Sequence, residues 1–126
     1  MRQVILTVLV LAVWLGAAPA KAAELVMLEE AGCGWCERWN EEIGVIYNKS
    51  REGRIAPLRR LDIHDHLPKD LSFLNKGRYT PTFVLVDRGR EIGRIRGYPG
   101  EDFFWGYLGQ LMEKLPADTG KTRLSN

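Results

Sequence analysis

The chain has very little cysteine, with two in 126 residues, so no disulfide framework replaces a hydrophobic core. It has only two histidines, which leaves few donors for a metal centre. Thirteen glycines and six prolines follow no period, which excludes collagen-like and low-complexity chains, and no repeat of solenoid length is present. Excess charge of one sign is also missing, with 18 basic against 16 acidic residues. A single long apolar run, at the N-terminus, excludes a polytopic membrane protein. What is there is ordinary globular material: 45% hydrophobic and 27% charged residues, enough for one domain with a short extension.

The N-terminal run has the layout of an export signal. Met1-Arg2-Gln3 is a short basic start, Val4 to Ala18 carries no charge, and Ala20-Lys21-Ala22 places small residues where a signal peptidase reads them. The expectation is a signal peptide, residues 1–22, cleaved after Ala22. The alternative is an uncleaved anchor, although the run falls short of the roughly 20 apolar residues of a spanning helix. Cleavage leaves 104 residues with 16 basic and 16 acidic side chains, so the net positive charge belongs to the leader. No basic field remains to attract nucleic acid. Arg59 and Arg60 read as one solvated strand face. Export would place the two cysteines where disulfides persist.

The expected domain spans 23–116, followed by a polar, flexible tail at 117–126. Glu24 to Leu28 predicts a short buried strand, and Ala31 to Gly34 a turn. From Trp35 to about Ser50 the spacing of Trp39, Ile43, Ile46 and Tyr47 predicts a helix with one apolar face, weakened at Gly44. Ala56 to Ile63 predicts a second strand, and Asp70 to Lys76 a short helix with Leu71 and Leu74 inward. Thr82 to Val86 is the strongest strand signal. A hairpin at Asp87 to Arg90 leads to a returning strand, Glu91 to Arg96. Glu101 to Leu115 predicts an amphipathic helix with Phe104, Tyr107, Leu108, Leu111, Met112 and Leu115 inward, stopped by Pro116. The order β-α-β-α-β-β-α implies an α/β fold, a mixed four-stranded sheet with helices on both faces.

Chemistry concentrates in Cys33-Gly34-Trp35-Cys36. A C-x-x-C at a helix start puts its first sulfur beside unpaired backbone N–H groups and the positive end of the helix dipole, which favour thiolate. The second cysteine lies one turn on and can resolve a mixed disulfide. Gly34 keeps the first sulfur approachable and Trp35 supplies an apolar surface beside it. Two other readings stay open at this level: an inert cysteine pair, and a metal-binding module using Cys33, Cys36 and His64, with His66 beside it in His64-Asp65-His66. Pro81 by itself is a proline at a strand start, where it is tolerated.

These motifs together resemble the thioredoxin-fold family, and within it the small periplasmic SoxS-type thioredoxins of bacterial sulfur-oxidation operons. The resemblance covers about residues 24–115. It rests on the C-x-x-C, on Tyr79-Thr80-Pro81-Thr82 before the strand Phe83 to Val86, and on Gly97 after the hairpin. It implies an exported thiol:disulfide oxidoreductase in which Cys33 is the nucleophile and Cys36 the resolving thiol. Trp35, Thr80, a cis Pro81 and Gly97 would receive an extended partner segment. It also implies that the redox-active disulfide needs no cofactor, that the protein is a periplasmic monomer, and that it acts on protein thiols or disulfides. The implied partner is the sulfur carrier SoxYZ, and the implied electron donor a membrane thiol transporter of the DsbD or CcdA type. A disulfide oxidase or isomerase is the alternative direction. Two departures stand out. Met27 occupies the place of the family's buried acid, leaving water, Glu29 or Glu30 to move a proton at Cys36. Gly-Trp replaces the usual Gly-Pro between the cysteines, and it is not the Pro-His of strongly oxidising relatives.

Overall fold

The computed structural model describes residues 22–117. The expected signal peptide, apart from Ala22, and the expected tail beyond Ala117 lie outside them. No helix among the described residues is long and apolar enough to cross a membrane.

The elements in chain order are strand β1 (Glu24–Glu29), helix α1 (Gly34–Trp39), a π-helical segment (Asn40–Gly44), α2 (Val45–Tyr47), α3 (Arg51–Ile55), β2 (Leu58–Asp62), a 3-10 turn (Lys69–Leu71), β3 (Thr82–Asp87), β4 (Arg90–Arg96) and α4 (Glu101–Met112). They build one mixed four-stranded sheet in the order β2-β1-β3-β4. β1 runs parallel to β2, with Leu25 opposite Leu58. β3 is antiparallel to both β1 and β4, with Thr82 opposite Leu28 on one side and Arg96 on the other. The central strands are apolar along their length because both of their faces are covered. Arg88 and Gly89 both have positive φ, 48° and 76°, in the two-residue turn between β3 and β4. Such a turn matches the right-handed twist of a hairpin, and glycine enters it without steric cost.

Side chains alternate across the sheet. Leu25, Met27, Phe83 and Leu85 point to the face covered by the helices, where Cys36, Trp39, Ile43, Tyr47, Phe104 and Leu108 join the same core. Trp39 lies at its centre, its ring centroid 5.0 Å from that of Phe83 and 5.7 Å from that of Phe104. Val26, Leu28, Val84 and Val86 face the other way, against Leu71 and Leu74 with Leu61 and Leu67 alongside.

Four local expectations are corrected. The stretch predicted as one helix to Ser50 contains the π segment and ends at Tyr47. Ser50 then caps a new helix, its Oγ accepting from Gly53 N at 2.9 Å. A π turn inserts an extra residue into the helix, so Trp39, Ile43 and Tyr47, four apart, stay buried while Ile46 turns outward. The helix expected over Asp70–Lys76 is only the 3-10 turn, so the second face is closed by that turn and by irregular chain. Two inward leucines within a segment this short do not repay helix nucleation. In α4, Tyr107 is outside and the helix stops at Met112, while Trp105 stacks on Tyr47 at 6.1 Å. Finally, Arg59 and Arg60 do not share a solvated face. Arg59 pairs with Glu24 and Asp70 on one side, and Arg60 with Glu29 and Asn40 on the other.

Candidate active site

Chain direction decides what gathers at one end of the sheet. β1 and β4 finish there and β3 begins there. That end therefore collects the loop after β1 with Cys33, the Thr80–Pro81 turn before β3, and Gly97 after β4.

Cys33 and Cys36 form a disulfide, with S–S 2.09 Å and Cα–Cα 5.2 Å. Cys33 is the N-cap of α1, and its Sγ accepts from the backbone N–H of Cys36 at 3.1 Å. Cys33 is half-buried at the surface, whereas Cys36 is buried in the core beside Met27 and Trp39. Trp35, between them, is 57% exposed, and the Arg38 guanidinium lies over its ring at 5.6 Å.

The Thr80–Pro81 peptide is cis. Pro81 is buried, and its carbonyl accepts from Gly97 N–H at 2.7 Å, which ties the turn to the end of β4. Gly97 has φ +78°, and a Cβ placed there would meet no heavy atom within 4 Å. The position thus borders open space.

Glu30 holds a place that sequence reasoning treated only as a possible proton carrier. Its carboxylate accepts from the Thr80 hydroxyl at 2.7 Å through one oxygen and contacts His64 Nε2 at 2.8 Å through the other. It thereby clamps the turn before β3 to the loops after β1 and β2. The Thr80 hydrogen bond, followed by the one from His64, holds this carboxyl below the ordinary carboxylate range. Glu29 is engaged with Arg60 at 2.8 Å. A second link joins the loop after β4 to the helix side. The Tyr98 hydroxyl donates to Glu42, which also binds Arg38 at 2.9 Å. Tyr98, then Arg38, lowers the Glu42 carboxyl, while burial and the nearby Glu42 charge push the Tyr98 phenol upward. No local signal marked either link, because each joins residues distant in sequence.

Met27 is fully buried, with Arg60 Nη1 3.5 Å from its sulfur. Here both cysteines are joined in the disulfide and His64 contacts Glu30 at 2.8 Å, so Cys33, Cys36 and His64 are not gathered as a ligand set in this oxidised form.

Comparison with known proteins adds one decisive likeness. The crystal structure of the periplasmic thioredoxin SoxS from Paracoccus pantotrophus, in its reduced form, superposes with a TM-score of 0.69 at 45% sequence identity, covering 73% of this chain and 97% of that one. The chain belongs to the SoxS-type thioredoxins. No family model and no curated protein matches it. As a thioredoxin of this type it is a thiol:disulfide oxidoreductase, and its redox group is the Cys33–Cys36 pair itself. The sheet, the helix that Cys33 caps and the turn before β3 form the frame on which that chemistry is mounted.

Proposed function

We propose that this SoxS-type thioredoxin works as an exported reductase that keeps a cysteine of a partner protein reduced. The observation that carries the reading is the asymmetry of the disulfide at the helix N-terminus, with Cys33 half-buried and Cys36 buried. In the reduced protein the Cys33 thiolate, favoured by the helix N-terminus, attacks a disulfide sulfur of the partner. That bond breaks, its other sulfur leaves as thiolate and takes a proton, and a Cys33–partner disulfide forms. Cys36 then gives up its proton and attacks the Cys33 sulfur, and the partner departs as a thiol. Two electrons have passed to the partner and the Cys33–Cys36 disulfide is restored. In this scheme the Thr80 backbone pairs with an extended partner segment, Pro81 and Trp35 flank it, and Gly97 lets it come close.

The resemblance supplies the finer assignments. The carrier SoxYZ is the proposed partner, a membrane thiol transporter of the DsbD or CcdA type the proposed source of electrons, and the periplasm the compartment reached after cleavage of residues 1–22. A monomer suffices, because both cysteines and the turn come from one chain. The test is a Cys36→Ser variant expressed in the native host. It should accumulate a mixed disulfide with its partner that reductant releases, whereas Cys33→Ser should trap nothing. Absence of any trapped partner overturns the reading. The direction is read from the potential of the couple, followed by tryptophan fluorescence, to which Trp35 between the cysteines contributes. A value near about −270 mV supports a reductase, and one near about −120 mV an oxidase.

A further inference from the structure

The chain entering the active-site turn is basic: Lys76-Gly77-Arg78-Tyr79 precedes Thr80. Thr82 Oγ1 donates to the Tyr79 carbonyl at 2.6 Å, and Thr82 pairs with Arg96 across the β3–β4 ladder. Those two links lay the 76–79 segment beside the end of β4. A Cβ on Gly77 would lie 3.9 Å from Arg94 Nη1, so the Arg94 guanidinium reaches across to this segment. Between them is an open concavity of about 360 Å3, bordered by Arg78, Tyr79, Thr82, Arg94 and Arg96.

Its charge is unbalanced. Glu91 engages Arg94. The Arg78 and Arg96 side chains are exposed and make no hydrogen bond or ion pair among the described residues. Tyr79, 69% exposed, offers a flat ring between them. The acidic side chains near the disulfide lie elsewhere. Glu37, Glu41 and Glu42 are on the helical side, and Glu30 is bound to Thr80 and His64. Arg38 offsets Glu42 on the helical side, and Glu101 and Asp102 open α4 beyond the loop after β4, so the basic strip is confined to Arg78, Arg94 and Arg96. A neutral or basic partner gains nothing from that basic side, whereas a carboxylate-bearing one does.

We propose that the concavity formed by Arg78, Tyr79, Arg94 and Arg96 is a specificity surface that receives an acidic segment flanking the target cysteine of the partner protein. The inference rests on the thioredoxin reading of the site, in which the partner's chain is extended beside Thr80. Extended chain advances about 3.3 Å per residue. Tyr79 adjoins Thr80 and Arg96 adjoins Gly97 in the chain, so a partner segment extended beside Thr80 passes the arginines within a few residues of its cysteine. Arginine suits this role because its planar, weakly hydrated guanidinium matches a carboxylate.

The test uses the reduced, leader-free protein and three peptides, each with one cysteine blocked as a mixed disulfide with mercaptoethanol. They differ only in carrying glutamates, serines or lysines on either flank of the cysteine. Bis(hydroxyethyl) disulfide is the uncharged control. At low ionic strength, kcat/KM for the glutamate peptide on at least one flank should exceed that for the lysine peptide by about three- to tenfold, the scale of a few exposed ion pairs. The preference should fade with added salt. In Arg78→Glu/Arg96→Glu the glutamate-to-lysine ratio should invert. Equal rates for the charged peptides, with the control disulfide reduced normally, overturn the docking surface and leave the reductase standing. Failure to reduce even the control disulfide overturns the reductase reading, and the docking surface falls with it.

Discussion

Replacing Gly97 by alanine separates what the backbone requires from what the site requires. Gly97 has φ +78°, and a Cβ there would touch nothing within 4 Å, so no packing clash complicates the change. The left-handed region disfavours an L-residue by about 1–2 kcal/mol. The smaller conformational freedom of alanine in the unfolded chain returns about 0.4–1 kcal/mol. A net destabilisation of roughly 0.8 kcal/mol follows at the centre of these ranges, or a fall in Tm of about 3–6 °C for a domain of this size. Gly89 provides the control, since it has φ +76°, has equally open surroundings and lies at the hairpin at the opposite end of the sheet. Gly89→Ala should therefore show the same loss in urea unfolding followed by tryptophan fluorescence. Function should distinguish the two. The methyl group at Gly97 projects where the partner segment is proposed to lie, so Gly97→Ala should lower kcat/KM for a peptide disulfide severalfold. Gly89→Ala should leave it unchanged. Equal activity of both variants refutes the role given to Gly97, and a much larger stability loss at Gly97 than at Gly89 refutes the backbone argument.

Other expected outcomes concern stability. The Glu30 carboxyl is lowered by Thr80 and His64, so its contribution is present above the unfolded value, about pH 4.3, and is lost as pH falls through the lower folded value. The Tm difference between wild type and Glu30→Gln should therefore shrink as pH is lowered below about 4, and a difference that grows instead contradicts the clamp. A Cβ on Gly93 would lie 2.4 Å from Leu111 Cδ2, at the contact between β4 and α4. Gly93→Ala should destabilise by about 1–3 kcal/mol through overpacking. Combined with Leu111→Ala, which removes the obstructing methyl, it should cost less than the two single changes together by at least about 1 kcal/mol. Strict additivity in urea unfolding rules out that contact as the cause.

Much of the fold was legible because its signals are local. The strand Thr82 to Val86, which the structure extends by Asp87, the hairpin that follows it, and the C-x-x-C at a helix start each declare themselves within a few residues. Competition between local and tertiary preferences was not legible. Spacing alone predicts one regular helix through Ile46, but the π segment follows the need to bury Trp39, Ile43 and Tyr47 together. Similarly, spacing predicts Leu71 and Leu74 inward, yet a 3-10 turn and loop suffice to seat them on the sheet.

The sequence by itself determined the redox pair, the order of the four strands, and the family to which the motifs point. All of these are written in short stretches whose chemistry does not depend on distant residues. Only the tertiary structure decided which groups stand around the pair. Glu30 meets Thr80 across 50 positions and His64 across 34, and Tyr98 meets Glu42 across 56. The same holds for Arg78 and Arg96, which share one concavity only because β3 pairs with β4. A hydrogen bond or shared field acts over a few ångströms in space, and chain distance carries no record of it until the sheet has brought the ends together.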